Sequence, residues 1–317
     1  MSKANHDVVD YDVIIIGSGF GGSVSALRLA EMGLKVAVLE QGRRATAHDL
    51  DLAGQNVNKL AWAPALKRYG FLSQDFFRHM AVVRGIGVGG GSLVYAAVLL
   101  KPTQKFYQDV TWKHLSLDWE LELAPHYQTA EKMLGVTQNP YQGIQDEWLK
   151  KTAEEMNVAE SFDAVPQGIY FGDSSKYLED PLLDGKGPQR RGCNQCGKCI
   201  TGCAHGAKNS LDYNYLYMAE KLGVRIIAES KVSHIEQLNA ENGIDLNSNQ
   251  GYRVYRKHPW KNEPQNSLNA KNIILAAGAI GTTEILFASR DHYKTLPDIS
   301  KQLGHHVRTN SEYCFSG

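Results

Sequence analysis

Three glycines and one carboxylate near the start of the chain carry the first chemistry. Gly17, Gly19 and Gly22 spell G-x-G-x-x-G, and Glu40 follows at the end of the next apolar run. A glycine at the first position permits a tight turn out of a strand. The second lets a pyrophosphate reach the backbone, and the third allows close packing of helix on sheet. Phe20, inside the motif, joins the candidate cofactor-binding set. A helix beginning near Gly21 would aim free N–H groups and its positive end at phosphates. A carboxylate at Glu40 can accept both ribose hydroxyls and repels a 2′-phosphate, which disfavours NADP.

The second group is Cys193, Cys196, Cys199 and Cys203, a C-x-x-C-x-x-C-x-x-x-C run that holds four of the five cysteines. This is the bacterial ferredoxin spacing for a [4Fe–4S] cluster, because short hops let several thiolates converge on one cubane. Ala204 stands where the usual proline follows, and no second run exists. Cys314 is a distant further ligand candidate. Zinc is the weaker metal reading, since structural zinc more often uses two separated pairs. A metal-free structural loop is preferred over either.

The elements that must position these groups can be read from the same stretch. Val13 to Ile16 is a short apolar run before the glycines, a helical pattern follows, and a second apolar run ends on Glu40. That is a βαβ unit of the dinucleotide-binding type. Residues 43–80 lack periodicity and read as loops and short helices. Five glycines between Gly85 and Gly91 precede the apolar stretch Leu93 to Leu100. They read as a loop whose backbone approaches a ligand, since glycines at that density cannot form a helix interior. Leu121 to Leu134 has helical spacing and a C-cap glycine at Gly135. Ser210 to Leu222 reads as a helix, then Val224–Ala228, Val232–Ile235 and Tyr252–Tyr255 as strands. Asn272 to Gly281 reads as a strand running into small residues, followed by a helix over Thr282–Ser289.

Read together, GSGFGGSVSALRLAEMGLKVAVLEQG, GIGVGGGSLVYAAVL, GCNQCGKCITGCAHGAKNSLDYNYL, NIILAAGAIGTTEIL and LGHHVRTNSE resemble the glucose-methanol-choline (GMC) flavoprotein oxidoreductases, in their cholesterol-oxidase-like branch. The resemblance implies an α/β fold, a Rossmann-like FAD-binding domain with a parallel sheet and an incomplete substrate domain. It assigns 8–110 and 190–317 to a discontinuous FAD-binding domain and 111–189 to a partial cap. It implies FAD, with Gly17, Gly19 and Gly22 at the pyrophosphate and Glu40 at the adenosine ribose. Gly89, Gly90, Gly91 and Ser92 would lie at the flavin end, and the Val232 backbone at the adenine. Ala277 and Gly278 would pack beside the cofactor. Tyr95 stands where the family often has Asn. The implied reaction is oxidation of an alcohol, with a 3β-hydroxysteroid favoured and a long-chain alcohol as the other substrate. Oxygen is the expected acceptor, giving peroxide, and isomerisation of a steroid double bond can follow. A dehydrogenase passing electrons through an iron–sulfur centre to an acceptor protein is the alternative.

Family members run longer, and their catalytic histidine lies in the C-terminal part. The chain is therefore expected to be an N-terminal portion, inactive alone and poorly soluble, with uncovered apolar faces. No catalytic residue is assigned, and His305 and His306 read as a solvated pair. Thirty-four basic residues balance 34 acidic ones, which argues against nucleic acid as a partner. The polar start MSKANHDVVD lacks a secretory apolar run, so a cytoplasmic location is expected, with peripheral membrane contact for sterol access.

Overall fold

A computed structural model describes residues 9–115, 117–238, 251–261 and 263–309. Its centre is a six-stranded sheet. Strand β1 (Tyr11–Ile16) leads through a tight turn into helix α1 (Phe20–Glu31), which returns the chain to β2 (Val36–Leu39). The alternation of β1 explains its place. Val13 and Ile15 join a core under α1, while Ile14 and Ile16 join a second core on the opposite face. A strand apolar on both faces can only be central, with helices or loops over each side. Ile14 and Ile15 are 0 % exposed, so truncating either to alanine costs about 2–5 kcal/mol.

Between β2 and the rest of the sheet the chain forms smaller pieces. Helices α2 (Ala47–Ala53) and α3 (Val57–Leu60) come first, then hairpin β3 (Trp62–Ala63) with β4 (Arg68–Tyr69). A second hairpin follows, β5 (Leu72–Phe76) with β6 (Ala81–Gly85). The hairpins correct the reading of 43–80 as loops and helices alone. Their strands are too short for a period of two to register in the sequence.

The next segment carries α4 (Gln104–Tyr107), α5 (Val110–Lys113), α6 (Trp119–Met133), β7 (Thr137–Gln138), α7 (Ile144–Glu155) and β8 (Pro166–Gln167). Asp118 caps α6 by accepting from the Leu121 N–H, and Gly135 follows the helix at φ +54°. Neither α6 nor α7 has a buried residue.

The chain then returns to the sheet with α8 (Tyr215–Lys221), β9 (Arg225–Ile227), β10 (Lys231–Gln237), β11 (Tyr252–Lys257), β12 (Pro264–Leu275) and α9 (Gly278–Phe287). The strand order is β10-β11-β12-β1-β2-β9. Strands β12, β1, β2 and β9 run parallel, while β10 and β11 extend the sheet in antiparallel fashion. The sheet is thus mixed, where the sequence led to a parallel one. The expected helix over Ser210–Leu222 starts only at Tyr215, because Asn214 (φ −139°, ψ −96°) breaks it after a short 3₁₀ turn. Strand β12 begins eight residues before Asn272; its polar first half pairs with β11, so it carries no apolar signal. Helix α9 begins at Gly278, four residues before Thr282, since its first turn is built of small residues.

Candidate functional site

The carboxyl ends of β1 and β12 lie side by side, with Ile16 opposite Leu275. Each strand turns at once into a helix. A Cβ on Gly17 would stand 2.3 Å from the Ala276 carbonyl oxygen, and one on Gly22 would stand 1.9 Å from the Gly17 oxygen. These two glycines are therefore demanded by backbone approach alone. Gly17 also sits at φ +103°, a region open mainly to glycine. Gly19, Gly91 and Gly278 behave differently: an added Cβ would meet nothing within 4 Å. They keep bare backbone facing open space at the sheet edge. Gly19 is the N-cap of α1 and no side chain caps that helix. First-turn N–H groups lack intrahelical partners, so this end is ready for a phosphate.

Ser18, a residue the sequence reading passed over, ties the site together. Its hydroxyl stands 2.7 Å from Glu40 Oε2 and 3.2 Å from the Gly87 carbonyl oxygen, and it accepts from the Gly89 N–H at 3.1 Å. Its own N–H donates to Glu40 Oε2 at 3.1 Å, and the Gly42 N–H donates to Oε1 at 2.9 Å. Glu40 is 6 % exposed. Burial raises its pKa above the usual carboxylate range, against the pull of its Gly42 and Ser18 hydrogen bonds. A carboxylate has about four acceptor positions; the Gly42 N–H and the Ser18 N–H and hydroxyl take three, and the Gly87 N–H also acts on the carboxylate. The clearest physical role of Glu40 is thus to hold the first glycine turn against the second.

That second block, Gly89 to Ser92, packs directly on the first. A Cβ on Gly90 would lie 2.7 Å from Gly19 Cα. Ser92 is fully buried; its hydroxyl donates to the Gly89 carbonyl at 2.7 Å and accepts from the Leu211 N–H at 3.0 Å. Phe20, 39 % exposed, meets Tyr95 edge-on at 5.8 Å. Val232 is buried in β10, and the ladder to β11 shifts register between Val232 and His234. Bulges of this kind recur beside sites because they re-aim the backbone. The Ser230 N–H bonds the Glu40 carbonyl, bringing this strand start to the same edge. Ala277 caps α9, and Gly278 follows at φ +74°. All twelve candidate cofactor residues therefore meet one edge of the sheet or its flanks. His305 and His306 are exposed near the end of the described chain.

The four cysteines form a separate site. All are free, with Cys196 exposed. They line one cavity of about 20 Å³ together with Ile169, Ala207 and Lys208. Among the described residues no group of three or more His, Cys, Asp or Glu side chains is placed to hold a metal ion. Cys314 lies outside the described residues. Burial pushes the Cys193 and Cys199 thiols up. Below them Lys208, 2 % exposed, donates from one ammonium to three carbonyls: Leu93 at 2.8 Å, Tyr95 at 3.1 Å and Cys199 at 2.7 Å. Burial lowers its pKa to about 8. Arg190 is likewise buried and holds the carbonyls of Gly206, Ala207 and Lys208.

A mixed sheet with two strand–glycine–helix turns at one edge defines a dinucleotide-binding class. A family model described as FAD dependent oxidoreductase matches residues 12–181. A second, described as GMC oxidoreductase, matches residues 188–308. The chain belongs to the GMC oxidoreductase family of FAD-dependent oxidoreductases, in its cholesterol-oxidase-like branch. It is 42 % identical over 309 residues to a cholesterol oxidase of Acinetobacter baumannii, covering 96 % of this chain and 54 % of that protein. A cholesterol oxidase of Mycobacterium tuberculosis is 43 % identical over 308 residues, covering 96 % and 52 % respectively. A long-chain-alcohol oxidase of Arabidopsis thaliana, FAO1, is 27 % identical over 89 % of this chain and 34 % of its own length. The chain spans about half the length of the cholesterol oxidases it matches. No helix among the described residues is long and apolar enough to cross a membrane.

Proposed function

We propose that this chain forms the FAD-holding part of an alcohol oxidase, and that the alcohol is a 3β-hydroxysteroid. The observation that carries the reading is the Ser18 knot. One serine joins both glycine turns to Glu40 while Gly19, Gly91 and Gly278 face open space. Bare glycine backbone beside an uncapped helix start suits a pyrophosphate. In this reading the first turn of α1 holds the pyrophosphate and Glu40 lies beside the ribose. The Val232 backbone meets the adenine, and Gly89 to Ser92 support the flavin end, with Ala277 and Gly278 beside it. Bound there, FAD supplies the two-electron acceptor for the alcohol C–H, with oxygen as the final acceptor and hydrogen peroxide as product. This chain's residues bind and orient; none is assigned as the base that takes the hydroxyl proton.

The steroid preference rests on the two cholesterol oxidases at 42 % and 43 % identity. Such a substrate resides in lipid, so the protein would work against a membrane surface. Anaerobic purification followed by an absorption spectrum, then a peroxide assay with cholesterol and with a long-chain alcohol, tests the reading. A two-banded flavin spectrum is expected of this chain, and peroxide from the sterol only when the rest of the oxidase is present. A protein that stays colourless after incubation with FAD would overturn the cofactor assignment. Peroxide from the linear alcohol alone would move the substrate to that class.

A further inference from the structure

Among the described residues no three of the cysteine thiols are grouped to hold a metal, yet the cysteine loop is mechanically joined to the cofactor cradle. The joint is Lys208, whose one ammonium binds the Cys199 carbonyl on one side and the Leu93 and Tyr95 carbonyls on the other. Leu93 and Tyr95 lie at the exit of the Gly89–Ser92 turn, and Ser92 is itself bonded to the Leu211 N–H just beyond Lys208. Lys208 thus bridges the Cys199 backbone and the exit of the glycine-rich turn.

We propose that Cys196 and Cys199 are a peroxide-oxidised dithiol, and that closing their disulfide loosens the grip of Lys208 on the glycine-rich turn and weakens FAD retention. Cys196 is the exposed thiol of the four, and Cys199 is three residues on, at the start of a 3₁₀ turn over Cys199–Thr201. Gly197, between them, sits at φ +70° with open space around its Cα, so this link can change its backbone without a side-chain clash. Cys196 is the exposed thiol and the other three are half-buried, which makes Cys196 the point of first attack.

The step balances with hydrogen peroxide as oxidant, and only that supply rests on the oxidase reading above. The Cys196 thiolate attacks one peroxide oxygen; the O–O bond breaks, the sulfur becomes a sulfenic acid, and hydroxide leaves as water after protonation. The Cys199 thiol then attacks the sulfenic sulfur, the S–S bond forms, the S–O bond breaks, and a second water leaves. Two thiols and one peroxide give one disulfide and two waters. The product accumulated by turnover would thus lower the cofactor occupancy of the protein that makes it.

The test uses the full chain, reduced, loaded with FAD and then exposed to an equimolar amount of hydrogen peroxide. Peptide mapping after alkylation should find Cys196 linked to Cys199, with Cys193 and Cys203 still free. FAD should dissociate on the order of tenfold more readily, an ordinary size for coupling between two sites, and dithiothreitol should restore it. Cys196→Ser, at an exposed position, should keep its fold and lose both responses. Four thiols still free after peroxide would overturn the proposal. So would single cysteines oxidised to sulfonic acid without a disulfide, or thiols already masked by a metal that a chelator releases. A disulfide with unchanged FAD release overturns the coupling. If no FAD binds at all, the oxidase reading fails while thiol mapping still decides the disulfide.

Discussion

The cofactor cradle and the cysteine block are both glycine-rich loops held by a single buried polar side chain, and they differ in what that side chain does. In the cradle Ser18, a neutral hydroxyl, joins two turns whose glycines touch backbone to backbone. In the cysteine block Lys208, a charged ammonium, gathers three carbonyls beside the cavity that the four cysteines line. The first arrangement leaves bare backbone facing outward, as a ligand site requires. The second leaves Cys196 exposed and, among the described residues, places no three of its thiols to hold a metal. Spacing that looks like a ligand set is therefore not enough; the fold must also bring the thiols together.

The sharpest way to break the comparison is at Gly22. Gly22→Ala would drive a methyl into the Gly17 carbonyl at 1.9 Å. We expect a loss of about 3 kcal/mol or more and of FAD binding, read by denaturant melts and flavin fluorescence. Gly19→Ala, with open space around the site, should leave the melt nearly unchanged while still weakening FAD. Equal damage from both would mean that neither glycine is kept for a ligand.

Lys208 provides the next largest effect. Burial holds its folded pKa at about 8, below the ordinary lysine value of 10.5. A depressed folded pKa favours folding above the unfolded pKa, and that contribution is lost as pH falls through the folded value. Relative to Lys208→Met, the wild-type chain should gain stability between pH 8 and 10.5, by about 3 kcal/mol at roughly 1.4 kcal/mol per pK unit. Paired chemical melts at the two ends of that window read the gap directly; a constant gap would mean the ammonium is not desolvated.

Glu40→Gln should cost about 1–3 kcal/mol at neutral pH, since an amide NH₂ would face the Ser18 or Gly42 donor. Burial raises the folded pKa of Glu40. Its proton-linked contribution is then full below the ordinary glutamate value of 4.5 and fades as pH rises through the folded value. Compared with the glutamine variant, the wild-type chain should be most favoured at the acid end of a pH series of melts.

The smallest effect is expected in the helical segment away from both loops. Trp148 on α7 is 64 % exposed, beside exposed Ile144 and Leu149. Trp148→Glu should change stability by no more than about 0.5 kcal/mol while reducing self-association in sedimentation, because it removes surface apolar area. A large destabilisation would show that α7 is packed in solution.

Much of the cradle was legible in the residues. Gly17, Gly19, Gly22 and Glu40 announced a strand, a turn and a helix, and these elements stand where the pattern placed them. The link from Glu40 to Ser18 was not legible, because a serine at an x position carries no periodic or spacing signal. Lys208 was equally silent, since burial of a lysine depends on carbonyls 113 and 115 residues distant. The mixed sheet escaped notice for a related reason: the polar first half of β12 is a strand only because β11 pairs with it.

By itself the sequence determined the local geometry: glycines where no Cβ fits, apolar runs that must be central strands, cysteines close enough to share a loop. These follow from sterics and burial within a few residues. Only the tertiary structure decided which turns meet, that Ser18 and Glu40 lock them, and that the cysteine loop encloses a cavity of about 20 Å³ beneath Lys208. Those facts depend on atoms far apart in the chain, and no short-range pattern specifies the volume left when distant segments close on each other.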